Sequence, residues 1–176
     1  LAKLHHPVQS KLPTLDQFDH MVVLIPQGDS GRVIDATDKE ADARLAVPLR
    51  LAGREALIID DRKPRLVRLP RPGLDSYRAD VKRSVRFDAA GSAIVFDVIT
   101  FHDYFAAAMR GRVRAVGVAD RSSFWQEMLR EAGTPVSVQS WKVDKLDDLT
   151  EPLVVTCEYD VERSLTALAG DAPGPW

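Results

Sequence analysis

Two side chains in the first quarter of the chain have the types and spacing for acid–base chemistry. His20 closes the run Asp16-Gln17-Phe18-Asp19-His20, and Asp35 sits in Ile34-Asp35-Ala36-Thr37-Asp38. An imidazole with a carboxylate on one ring nitrogen has a fixed tautomer and a stabilised cation, which suits it to serve a nucleophile as general base. Whether the two can meet depends on the turn between them. The apolar run DHMVVLIP, the polar cluster QGDSG and then RVIDAT form a hairpin signal. With Gln27–Ser30 as the loop, Pro26 faces Gly31, Val22 lies opposite Asp35, and His20 lies opposite Thr37. His20 and Asp35 are then diagonal neighbours on one face, about 7–8 Å apart at the backbone. Met21, Val23, Ile34 and Ala36 take the other face and are expected to pack inward. A loop longer or shorter by one residue would separate the pair onto opposite faces. A bare His and Asp on a surface hairpin would need no function, so the reading turns on the residues around them.

That surrounding stretch, LPTLDQFDHMVVLIP…RVIDATDK, resembles the second half of the transglutaminase-like superfamily domain. The likeness is to bacterial proteins that carry an additional domain of unknown function ahead of it. It runs over residues 12–69, includes LAGREALIID (Leu51–Asp60), and is weak beyond Leu69. The resemblance implies a papain-like cysteine enzyme in which a Cys begins a helix, a following strand carries the catalytic His, and the next carries the Asp, often as D-x-T-D. His20 and Asp35 match those two positions. His20 would take the thiol proton and return it to the leaving group, and Asp35 would orient the ring. The implied activity is amide or isopeptide hydrolysis or acyl transfer on a peptide or protein substrate. An extracytoplasmic bacterial location, periplasmic or cell-envelope, is implied by the resemblance alone.

The chain departs from the pattern at the nucleophile. No cysteine precedes His20, and the single one, Cys157, lies in Leu153-Val154-Val155-Thr156-Cys157-Glu158-Tyr159-Asp160-Val161. Alternation puts it on the apolar face of a half-buried strand, where thiols pack and stay inert. The oxyanion donors expected near the missing Cys are absent with it. The chain is therefore expected to be inactive alone, its partner being a Cys-bearing segment of the same protein. The rival reading is a non-catalytic scaffold or protein-binding module of a cell-envelope protein.

The other candidates have simpler explanations. His5-His6 lacks zinc-ligand spacing, and no metal or other cofactor is expected. Gly28, Asp29 and Gly31 form a turn with no helix start after it, so no phosphate loop is read there. The basic Arg62–Arg71 run, broken by Pro64 and Pro70, reads as a solvated linker. His102 and Asp103 open a helix, where capping suffices.

The elements that would position the pair follow from periodicity and punctuation. Residues 1–15 read as an extended lead-in, with a possible helical turn at Glu40–Leu45 and a strand at Glu55–Ile59. Prolines 64, 70 and 72 argue against a long element and mark a module boundary. Tyr77–Phe87 and Ser92–Phe101 flank Asp88-Ala89-Ala90-Gly91 as a second hairpin, and His102–Val113 is alanine-rich and helical. Ser123 and Gln126 form a capping box for a helix stopped by Gly133, with Phe124, Trp125, Met128, Leu129 and Ala132 on one core-facing stripe. Strands at Val136–Val143 and Leu153–Val161 precede a Gly/Pro-rich tail. The expected class is α+β with antiparallel pairing: a transglutaminase-like β-sheet remnant over 1–69, a β-rich accessory module with one or two helices over 75–163, and a tail over 164–176.

Composition excludes other classes. The 176 residues are 45% hydrophobic and 28% charged, with a net charge of -2, which argues for a globular chain and against a nucleic-acid binder. No apolar run approaches the length of a membrane span. The first residue is Leu1, without the layout of a signal peptide, so the chain reads as an excised fragment or a processed product.

Overall fold

The computed structural model describes residues 1, 8, 14–27, 30–45, 47–60, 63–89, 91–130 and 136–161. His5, His6, Gly28, Asp29, Ala132, Gly133 and the tail from 162 onward lie outside the described residues. The chain divides between Arg78 and Ala79 into two compact units. The architecture is α+β, with antiparallel strand pairs and two α-helices among the described residues.

The first unit is built from two hairpins. Strands β1 (Val23–Gln27) and β2 (Ser30–Ile34) pair with Pro26 opposite Gly31 and Val23 opposite Ile34, the register that the loop count requires. The face that packs inward is the opposite of the expected one. Val33 is buried, and Val22 and Leu24 pack with it against Val47, Leu51, Ala56 and Leu69. Met21 and Val23 are instead 83% and 58% exposed. Only one face of a two-stranded hairpin can reach the rest of the unit. Val22, Leu24 and Val33 lie on the same face as His20 and Asp35, so that face is the buried one.

Strands β3 (Glu55–Ile58) and β4 (Arg65–Arg68) form the second hairpin, with Glu55 opposite Arg68. The basic run is thus in part a strand and not a solvated linker. Pro64 and Pro70 bracket five residues, of which four form the strand, and the charged side chains of β4 stay on the surface while Leu69 turns into the core. No helix is continued at Glu40–Leu45, where a single backbone bond from the Leu45 amide to the Asp42 carbonyl at 3.0 Å closes one turn. The Asp38 carboxylate accepts from the amides of Glu40 and Ala41, and that of Asp42 from the amide of Arg44, so side-chain turns replace the helix.

In the second unit β5 (Ala79–Phe87), β6 (Ala93–Phe101), β7 (Val136–Asp144) and β8 (Leu153–Val161) form one antiparallel sheet in the order β5-β6-β8-β7. Asp88 ties the β5–β6 turn through Ser92, and Gly91 supplies the left-handed residue at φ 83°. Helices α1 (Asp103–Ala115) and α2 (Arg121–Arg130) contribute Ala106, Met109, Val113 and Trp125 to the core, which the sheet completes with Val95, Leu153, Val155 and Tyr159. Phe124, Met128 and Leu129 pack beside the fully buried Trp125, so the aromatic stripe is core. Inside this core Asp97 holds the Arg83 guanidinium at 2.7 and 2.8 Å and accepts from the Tyr159 hydroxyl at 2.9 Å.

Two helix starts differ from expectation. Helix α2 begins at Arg121, carried straight on from a 3₁₀ turn at Val118–Asp120, so Ser123 lies within its first turn and caps nothing as a box. Gln126 reaches sideways instead: its amide donates to the Val136 carbonyl and accepts from the Val138 amide at 3.0 Å. His102 occupies the N-cap position of α1 without a side-chain cap bond, because its imidazole lies 2.9 Å from Asp80 Oδ2. No helix among the described residues is long and apolar enough to cross a membrane.

Candidate active site

The β1–β2 ladder ends at Val23 and Ile34. Asp35 follows β2 directly and His20 precedes β1 by three residues, so the pair lies just beyond the paired strands and not on them. The two side chains meet: His20 Nε2 lies 2.8 Å from Asp35 Oδ2. Asp35 is fully enclosed at its side chain, whereas the His20 ring keeps about a fifth of its surface open.

A carboxylate so enclosed must have its lone pairs filled. The backbone supplies the first partners. The Asp38 amide bonds to the Asp35 carbonyl, a turn that brings Thr37 back over Asp35. The Thr37 amide and hydroxyl then donate to Oδ1 at 3.0 and 2.7 Å. On the other oxygen, Arg50 Nη2 donates to Oδ2 beside His20, and it also reaches the Thr37 hydroxyl. Arg50 is delivered by the 3₁₀ turn Leu49–Leu51, pinned on either side by the buried Val47 and Leu51. Burial pushes the Asp35 carboxyl up. The hydroxyl and amide of Thr37, the His20 imidazole and the Arg50 guanidinium outweigh it, and the carboxyl is held at about 2.

This arrangement has a definite chemical capacity. Asp35 is an anion throughout the physiological range and fixes the ring through Nε2, which leaves Nδ1 as the atom that can accept a proton. His20 also borders an apolar groove of about 640 Å³, lined by Met21, Leu24, Val33, Ala56, Leu57 and Val67 among others. A proton acceptor at the rim of an apolar wall works where water is partly excluded and charge interactions are stronger.

The structure thus brings together both residues singled out from sequence. It adds two that sequence reasoning missed. Thr37 was visible as the Thr of D-x-T-D, without a role. Arg50, in Val47-Pro48-Leu49-Arg50-Leu51, carries no local signal at all. Cys157 lies in β8 of the second unit, opposite Asp97 on one side and Trp141 on the other, and burial followed by the nearby Asp97 charge pushes its thiol up to about 11. Among the described residues no group of three His, Cys, Asp or Glu is arranged to hold a metal ion. No family model, curated protein or solved structure matches this chain.

Proposed function

We propose that His20 and Asp35 are the base and its orienter in a transglutaminase-like thiol site, which hydrolyses or transfers peptide or isopeptide amides once a cysteine is supplied. The observation that carries this reading is the 2.8 Å Nε2–Oδ2 bond between an enclosed carboxylate and a partly open imidazole. A surface hairpin has no need to bury a carboxylate and surround it with Thr37, His20 and Arg50. In the proposed reaction Nδ1 of His20 removes the thiol proton, the thiolate attacks the amide carbon, and the imidazolium returns the proton to the departing amine. Asp35 stays ionised and holds the ring. The nucleophile comes from outside residues 1–176, since Cys157 is buried with its thiol raised to about 11.

The rival reading is a non-catalytic binding scaffold. Assays on peptide amides decide between them. Residues 1–176 alone should show no amidase or transamidase activity, with or without reductant. A longer gene product with a Cys-bearing helix ahead of His20 should be active, with His20→Ala and Asp35→Asn each lowering kcat by a factor on the order of 10² to 10⁴. An inert longer protein, or activity indifferent to His20→Ala, would leave the scaffold as the better account.

A further inference from the structure

Strand β5 is an edge of its sheet, and among the described residues of the second unit nothing covers its apolar side. Among the described residues it pairs with β6 alone. Val81, Val85 and Phe87 lie opposite Ile99, Val95 and Ala93, on the face that the helices cover over β6. Over β5 the helices of this unit do not extend that cover, and the three are 54%, 46% and 51% exposed. A nine-residue edge with such a face is a template for another strand.

We propose that this edge is filled by the β5 of a second copy of this chain, antiparallel, with Asp80 opposite Arg86. The residue pattern selects both the occupant and the register. A two-fold axis normal to the sheet keeps like faces together, so the strand is centred on a residue and never between residues, and only centring on Lys82, Arg83 or Ser84 keeps at least seven of its nine residues paired. Centring on Lys82 sets two lysines face to face and Arg78 against Arg86. Centring on Ser84 sets Asp80 against Asp88 and Lys82 against Arg86. Centring on Arg83 gives two Asp80–Arg86 pairs, two Val81–Val85 pairs and Lys82 against Ser84. The one like-charge encounter left is Arg83 with itself, and each Arg83 already carries its counter-charge in Asp97 at 2.7 and 2.8 Å. A single strand sequence thus complements itself in one register and repels itself in the two adjacent ones. The product is a continuous eight-stranded sheet across two copies, with Val81 and Val85 shielded by each other.

Charge reversal tests this with the full chain by sedimentation over a concentration series. The wild type should associate to a dimer, more weakly at high salt. Asp80→Arg and Arg86→Asp should each weaken self-association by about tenfold or more, since each turns two attractive pairs into repulsive ones. An equimolar mixture of the two variants should form a heterodimer, because every pair across that interface is again of opposite sign. Circular dichroism controls for folding, and Arg86→Asp leaves the Asp80–His102 contact intact if Asp80→Arg disturbs it. A wild type that stays monomeric throughout, a dimer indifferent to both reversals, or a mixture that fails to associate would each overturn the proposal.

Discussion

Arg50 and His20 share one oxygen, Oδ2 of Asp35, while Thr37 occupies the other. The carboxylate is therefore held by four donors from three separate stretches of chain, and its ionisation is tied to the integrity of the first unit. Because the folded carboxyl lies below its ordinary value of 3.8, at about 2, it stabilises the fold above that ordinary value. The contribution is lost as pH falls towards the folded value, and it amounts to about 2 kcal/mol. Amide signals of Val33 and Val47, followed through urea unfolding between neutral and strongly acid pH, should show this acid limb. In Asp35→Asn the first unit should be less stable at neutral pH, and the limb should be much reduced. An unchanged limb would mean that Asp35 is not the group responsible.

The donors around Asp35 should not rank by formal charge. Thr37→Val removes a hydroxyl from a buried carboxylate and should destabilise the unit by about 2 kcal/mol. Arg50→Ala removes a full charge, but the Arg50 side chain is half open to solvent, so the loss should be about 1 kcal/mol or less and should shrink in salt. The hydroxyl also accepts from Arg50, so the double variant should fall short of the sum. Denaturant titrations at low and high salt measure all three. A larger, salt-sensitive loss from Arg50→Ala would invert the ranking.

Cys157 should behave as a core atom with a sulfur. Its thiol, buried and pushed up to about 11, is almost wholly protonated at neutral pH. Alkylation of the native protein should be slow and should follow unfolding of the second unit, whereas denaturant should make it immediate. Fast labelling of the folded chain would reopen Cys157 as a functional thiol.

What could be read from the residues differs from strand to strand for identifiable reasons. The bounds of β8 are visible because Leu153 to Val161 alternate apolar and polar, and the structure buries every second residue. The β1–β2 register is visible because two apolar runs bracket one polar turn. Which face of that hairpin is buried is not visible. His20, Val22 and Leu24 alternate with Met21 and Val23, so neither face carries a polar marker strong enough to choose. Strand β4 escapes notice because a four-residue strand within a proline-bracketed run shows no period. Arg50 escapes because it reaches Asp35 through the seating of Val47 and Leu51, a tertiary event fifteen positions away in sequence. Of the groups that donate to Asp35, His20 is the easiest to find, because the resemblance gives it a role, whereas it gives Thr37 a motif position and no role.

The side-chain amide of Gln126 has a consequence for colloidal behaviour. It binds Val136 and Val138 on β7 much as a neighbouring strand would, and β7 is further broken by a register shift between Val138 and Ser140. The sheet thus ends differently on its two sides, one blunted by a helix and a bulge and one left straight. A molecule with two straight sides could add copies without limit and grow into ribbons. With one side blunted, growth terminates after a single joining, so concentrated solutions of this chain should remain clear instead of forming fibrils.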